Sequence, residues 1–203
     1  MRKEILTQEQ TKLLPVLKLF SRDFGLVGGT AIALHIGHRQ SIDFDMFSIK
    51  KFNNSAIERK IKEKTSIDKI IVDKLDEFTF IAKEVKFTFF RYIYEIEYSK
   101  KLDSIVTLPD LLTLAAMKAF ALGRRAKWKD YVDLYFIMRD FYGINEIVKK
   151  GNEVFGSEFN DKIFKVQLGY FKDINYQETV KFMPGFEVGD KEIKKKLVEF
   201  SLE

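Results

Sequence analysis

Residues 26 to 47 constrain this chain more than any other stretch: Leu-Val-Gly-Gly-Thr-Ala-Ile-Ala-Leu-His-Ile-Gly-His-Arg-Gln-Ser-Ile-Asp-Phe-Asp-Met-Phe. The segment opens on a glycine pair, Gly28 and Gly29, that runs into a small-residue helical pattern ending at Gly37. It closes on an alternating run. Alternation at period two means a strand, with Asp43 and Asp45 on one face and Ile42, Phe44 and Met46 on the other.

Two acids on one side of a strand repel each other, and a cation between them relieves this. Oxygen-only ligands suit Mg²⁺ or Mn²⁺. A glycine turn at a helix start offers backbone N–H groups to an anion, because glycine permits close approach and the helix N-terminus is partly positive. A phosphate cradle beside a divalent-metal pair suggests nucleotide chemistry. Read alone, either half is equally a glycine turn before a helix or an edge strand with solvated acids.

Taken in order, Gly28-Gly29-Thr30-Ala31 and Gly37-His38-Arg39-Gln40-Ser41-Ile42-Asp43-Phe44-Asp45-Met46-Phe47 resemble the nucleotidyltransferase signature of the DNA polymerase β-like superfamily. The fuller form resembles its AbiEii/AbiGii toxin branch, whose members serve toxin–antitoxin and abortive-infection phage-defence systems.

A second group of residues lies downstream. Lys118 sits in an apolar helical run, Leu114 to Ala121, where its ammonium must snorkel to solvent or meet an anion. Arg124, Arg125, Lys127 and Lys129 then cluster around Trp128, as a solvated basic loop or as a surface for a polyanion. Asp130 and Asp133 follow, three apart on one side of a helix start, where acids also suit the helix dipole. Lys118 followed by Lys129-Asp130-Tyr131-Val132-Asp133-Leu134 is similar to the C-terminal motif of the same toxin family, so that the resemblance covers residues 24 to 140.

The resemblance implies a metal-dependent transfer of a nucleoside monophosphate from an NTP to an acceptor hydroxyl, with RNA, tRNA above all, as the acceptor. Asp43 and Asp45 would hold Mg²⁺ (or Mn²⁺). Gly28, Gly29, Thr30, Arg39, Ser41 and Lys118 would bind the nucleotide. Asp130 would support catalysis, and Arg124, Arg125, Lys127, Lys129 and Asp133 would face the acceptor. A cognate antitoxin is the expected protein partner. Two alternatives use the same first motif: a small-molecule, aminoglycoside-like nucleotidyltransferase, and an inactive nucleotide-binding or interaction protein. One departure stands out. Superfamily members often carry a third carboxylate on a later central strand, yet Val85 to Phe90 has no acid in its middle. Glu84, Glu95, Glu97 or Asp130 would have to supply it, or the site runs with two. His35 and His38 read as structural.

Around this centre the chain reads as α+β: a polymerase β-like mixed sheet with flanking helices over residues 1 to 107, then a helical half, 108 to 203, closing the active-site cleft. Helices are expected at 7 to 22, capped by Thr7 and either kinked or broken in two at Pro15, and at 55 to 64. Strands are expected at 41 to 48, 67 to 75, 79 to 82 and 85 to 94, with Ile105 to Thr107 returning to the sheet edge. Five further helices follow Pro109, around an irregular stretch from 173 to 187. At 203 residues with 20 Phe the chain can build a sizeable core. With no cysteine, disulfides, thiolate metal sites and a cysteine nucleophile are excluded. No apolar run approaches the ~18 residues of a membrane span, so no membrane partner and a cytoplasmic setting are expected. A net charge of +5 fits a polyanionic partner.

Overall fold

Thr7 begins the ordered framework by accepting the Gln10 N–H while the Gln10 side chain accepts the Thr7 N–H, a reciprocal cap for helix α1 (Gln8–Phe20). The computed structural model describes all residues from 1 to 203. Helix α1 runs unbroken through Pro15 rather than dividing there. Pro15 faces solvent, where water can serve the carbonyl it leaves unbonded, while buried Leu13, Val16, Leu17 and Phe20 hold the helix to the core.

The first of two compact units spans Met1–Asp110. After α1 come strand β1 (Gly25–Val27), helix α2 (Gly28–Ile36), strand β2 (Phe44–Ser48) and helix α3 (Asn54–Lys62). Strands β3 (Lys69–Lys74), β4 (Glu77–Ala82) and β5 (Val85–Arg91) complete a five-stranded sheet of order β1-β2-β5-β4-β3. The sheet is mixed: β2 and β5 run parallel, and the other pairs are antiparallel. Phe44 and Met46, Phe78 and Phe80, and Phe87 and Phe89 are fully buried on one face. Phe20 of α1 meets Phe89 edge-on at 4.8 Å, and Phe80 stacks on Phe87 at 5.0 Å. Each such side chain contributes about 1.5–3 kcal/mol of burial.

Residues 25 to 27, ahead of the glycines, form strand β1, with Val27 beside Asp45. Two local expectations are corrected. Strand β2 starts at Phe44, not 41, and Ile42 is 46% exposed. The cause is that side chains, not a neighbouring strand, take the carbonyls of this approach: Ser41 O accepts from Gln10 Nε2 (2.8 Å) and Thr30 Oγ1 (3.2 Å), and Asp43 O accepts from Thr30 Oγ1. Lastly, residues 105 to 107 do not join the main sheet. Strand β7 (Val106–Leu108) pairs with β6 (Lys100–Leu102) in a separate hairpin. Tyr98 lies where a Gly25 side chain would be and donates its hydroxyl to Phe47 O at 3.1 Å, so its ring covers the Gly25 position of β1.

The second unit, Leu111–Glu203, is helical. It contains α4 (Leu111–Leu122), α5 (Trp128–Asp140), α6 (Ile144–Phe155), α7 (Asp161–Leu168) and α8 (Asp190–Ser201). Helix α5 is buried from Tyr131 to Met138 and forms the centre of this unit. Phe120 of α4 stacks on Phe155 of α6 at 3.9 Å. No helix of the chain is long and apolar enough to cross a membrane.

Candidate active site

Gly28 has φ +73°, the left-handed region in which a Cβ is strained, and a side chain there would collide with Asp45 Oδ2. Glycine is thus required twice over, by conformation and by the close approach of a carboxylate. Val27 precedes α2 and gives it no side-chain cap, so the first N–H groups of the helix are left to other acceptors. The cradle and the acids lie side by side.

Gly29 is equally crowded: an added Cβ would fall 2.6 Å from Arg39 Nη2 and 3.0 Å from Ser41 Oγ. Arg39 is 1% exposed and donates from Nη1 to Gln40 O at 3.0 Å. Arg39 and Ser41 therefore back the turn from within. Thr30 is buried as well, and its hydroxyl proton is engaged by the carbonyls of Ser41 and Asp43. Its hydroxyl fixes the approach to β2, so any phosphate contact in this turn falls to the backbone amides. His35 Nε2 lies 2.9 Å from Pro109 O, and burial lowers its pKa, which agrees with a structural role.

Asp43 and Asp45 sit at the head of β2, both part-exposed. The parallel register sets Asp45 beside Thr88 of β5, and two residues back Lys86 reaches Asp43, Nζ to Oδ2 2.6 Å. Glu84 lies in the tight turn before β5, with φ +64°, and Glu95 and Glu97 are exposed beyond its end. No group of three metal-ligating side chains comes together. The donor set still fits a hard divalent cation: two carboxylates lie at the head of β2, glycine leaves room against one, and an ammonium already lies against the other.

In the second unit Lys118 does not snorkel. It is 7% exposed and its ammonium is held by Asp130 Oδ1 and by Asp133 Oδ2 at 3.0 Å, carboxylates that are 2% and 0% exposed. Arg125 Nε adds a second cation at 3.2 Å from Asp130 Oδ2. Two buried acids are thereby matched by two cations.

The basic loop is less open than its composition suggests. Arg124 lies over the Phe120 ring at 3.5 Å, with Glu158 at 3.8 Å. Lys127 and Lys129 converge on one acid, Glu178, at 2.8 and 2.7 Å. Burial would raise the Glu178 carboxyl, but hydrogen bonds and charge from both lysines outweigh it and hold the pKa at about 2. Trp128 is buried beside Tyr131 and Tyr176 and belongs to the core.

Lys86 and Glu178 escaped the sequence reading. The polar-apolar alternation of Val85 to Phe89 does put Lys86 and Thr88 on one face, but nothing local tells that β5 lies beside β2. Glu178 stands in an irregular stretch, brought to α5 by backbone hydrogen bonds between Asn175 and residues 126 and 128.

A glycine turn opening a helix against two carboxylates, on a mixed sheet, is consistent with a nucleotidyltransferase, and the family match shows that class. The chain belongs to the AbiEii nucleotidyl transferase toxin family of type IV toxin–antitoxin systems, whose model matches residues 16–198. It is 32% identical over 186 residues to an uncharacterized protein of Aquifex aeolicus (strain VF5), covering 88% of each chain. Among solved structures it is similar to MenT4, a nucleotidyltransferase toxin from Mycobacterium tuberculosis H37Rv. That match has a TM-score of 0.59 and 14% identity, over 96% of this chain and 82% of that one. The JHP933 structure from Helicobacter pylori matches with a TM-score of 0.58 and 15% identity, over 97% and 92%. At such identities the likeness is one of fold.

Proposed function

We propose that this enzyme transfers a nucleoside monophosphate from an NTP to a hydroxyl of RNA, tRNA above all, using a divalent metal, and that it acts in the cytoplasm as the toxin of an antitoxin pair, including phage defence. The observation that carries the reading is the contact of Gly28 with Asp45, which joins an uncapped helix N-terminus to the acid pair. The α2 amides receive the β- and γ-phosphates. Asp43 and Asp45 hold the Mg²⁺ (or Mn²⁺), which when bound supplies charge neutralisation at the α-phosphate and at the departing pyrophosphate. The acceptor oxygen attacks the α-phosphorus in line, the bond to the β-phosphate oxygen breaks, and the acceptor's proton passes to solvent or to a carboxylate. Thr30, Ser41 and Arg39 hold this turn rigid, which is electrostatic preorganisation. Lys118 and Asp130 serve the same reaction, Lys118 by attracting phosphate and Asp130 by holding its ammonium. The loop at 124 to 129, with Asp133 behind it, attends the acceptor.

The test is to incubate the protein with each labelled NTP, Mg²⁺ and total RNA, and to identify the species that gains label. Asp43→Asn and Asp45→Asn should each abolish labelling while circular dichroism and melting stay near wild type. Retained labelling in either variant would end the assignment of the acids.

A further inference from the structure

We propose that Lys86 is the fixed cation of this site: its ammonium takes the place of a second divalent ion, so that the site runs on one metal and Lys86 itself contacts the triphosphate. The inference rests on the nucleotidyl-transfer reading above and adds a residue to it. Lys86 lies on β5, the parallel neighbour of β2, on the face opposite the fully buried Phe87 and Phe89 and shared with Asp45 and Thr88. Its Nζ stands 2.6 Å from Asp43 Oδ2. A further carboxylate on this strand would extend the pair to three ligands, enough for a second hard cation. Here the neighbouring strand brings a positive charge to the pair instead, and no third acid reaches it.

Charge explains the arrangement. Two carboxylates and a triphosphate gather more negative charge than one divalent ion can neutralise, and an ammonium adds a permanent positive charge that no metal shortage removes. A lysine is a compact point charge on a flexible stem, able to turn from carboxylate to phosphate without leaving the site. The side chains of Lys86 and Asp43 are 36% and 24% exposed, a setting in which an ion pair contributes little to stability. Removing the charge should therefore leave the fold standing.

The experiment measures binding on the full-length protein, with no turnover. Mn²⁺ is counted by electron paramagnetic resonance in the presence of the α,β-imido analogue of each of the four NTPs, and analogue affinity is measured for wild type and Lys86→Met. One Mn²⁺ per wild-type chain is expected, with the variant melting as wild type. The variant should bind the analogue about ten- to a hundredfold more weakly, the effect of removing one charge-assisted hydrogen bond. Two Mn²⁺ per wild-type chain, or an unchanged analogue affinity in the variant, overturns the role of Lys86 and leaves the transfer reading intact. Failure of wild type to bind any analogue with Mn²⁺ overturns both.

Discussion

Gly28 and Lys118 show how far single positions determine this protein. Gly28→Ala would place a Cβ in the left-handed region, at about 1–2 kcal/mol, and drive it into the Asp45 carboxylate. The expected outcome is a lowered melting temperature together with loss of Mn²⁺ binding and nucleotidyl transfer. Wild-type melting and turnover would mean that the turn has no need of glycine. Lys118→Met would take the buried ammonium away from Asp130 and Asp133 and leave Asp130 with Arg125. Breaking a buried pair from one side costs about 3–5 kcal/mol, so thermal or urea unfolding should show a large loss, partly recovered in Lys118→Met/Asp133→Asn. A simple snorkelling lysine would give a change near zero. The glycine pair and the two acids at the head of β2 stood out in the sequence because each has a backbone or charge requirement of its own. The fate of Lys118 did not, since the acids that hold it lie on the next helix and only the packing of α4 on α5 brings them together.

At the scale of elements, the helices read well because their signals are local: the Thr7 capping box, the αL Gly37 after α2, and the Asn53 and Asn160 side chains that cap α3 and α7. Sheet order was not legible. β1 has three residues and no alternation to display, and the β2–β5 pairing skips over α3, β3 and β4. The start of α5 is a further case, since Lys127 gives it no side-chain cap and Glu178 braces it from afar by holding Lys127 and Lys129. That brace has a pH signature. The Glu178 carboxyl is lowered from 4.5 to about 2 in the folded chain, so its contribution is present above the unfolded value and is lost as pH falls through the folded one. Glu178 is more than a third exposed, so solvent screening keeps the effect small. Melting curves should show wild type above Glu178→Gln at neutral pH, with the gap closing as pH falls from 4.5 towards 2. A gap that persists at low pH would assign the difference to packing instead of charge.

At the scale of the whole molecule, the net charge of +5 supports attraction to RNA, but the loop expected to provide it has acidic partners of its own. Composition alone conceals this, because ion pairs within the chain leave the net charge unaltered. The triple variant Arg124→Ala/Arg125→Ala/Lys127→Ala should bind RNA more weakly. Its dependence of log affinity on log salt should be shallower by about 0.7–0.9 for each phosphate that the loop no longer neutralises. An unchanged slope would assign those cations to Glu158, Asp130 and Glu178 alone.

The parallel pairing of β2 with β5 also sets a clock. Ser48 ends β2, and β5 begins only at Val85. On a ribosome adding roughly 5–20 residues per second, the acid-bearing strand waits seconds for its neighbour. A half-made chain holds the acids without the strand that fixes them. The sheet therefore cannot close around β2 until Arg91, the last residue of β5, has been made.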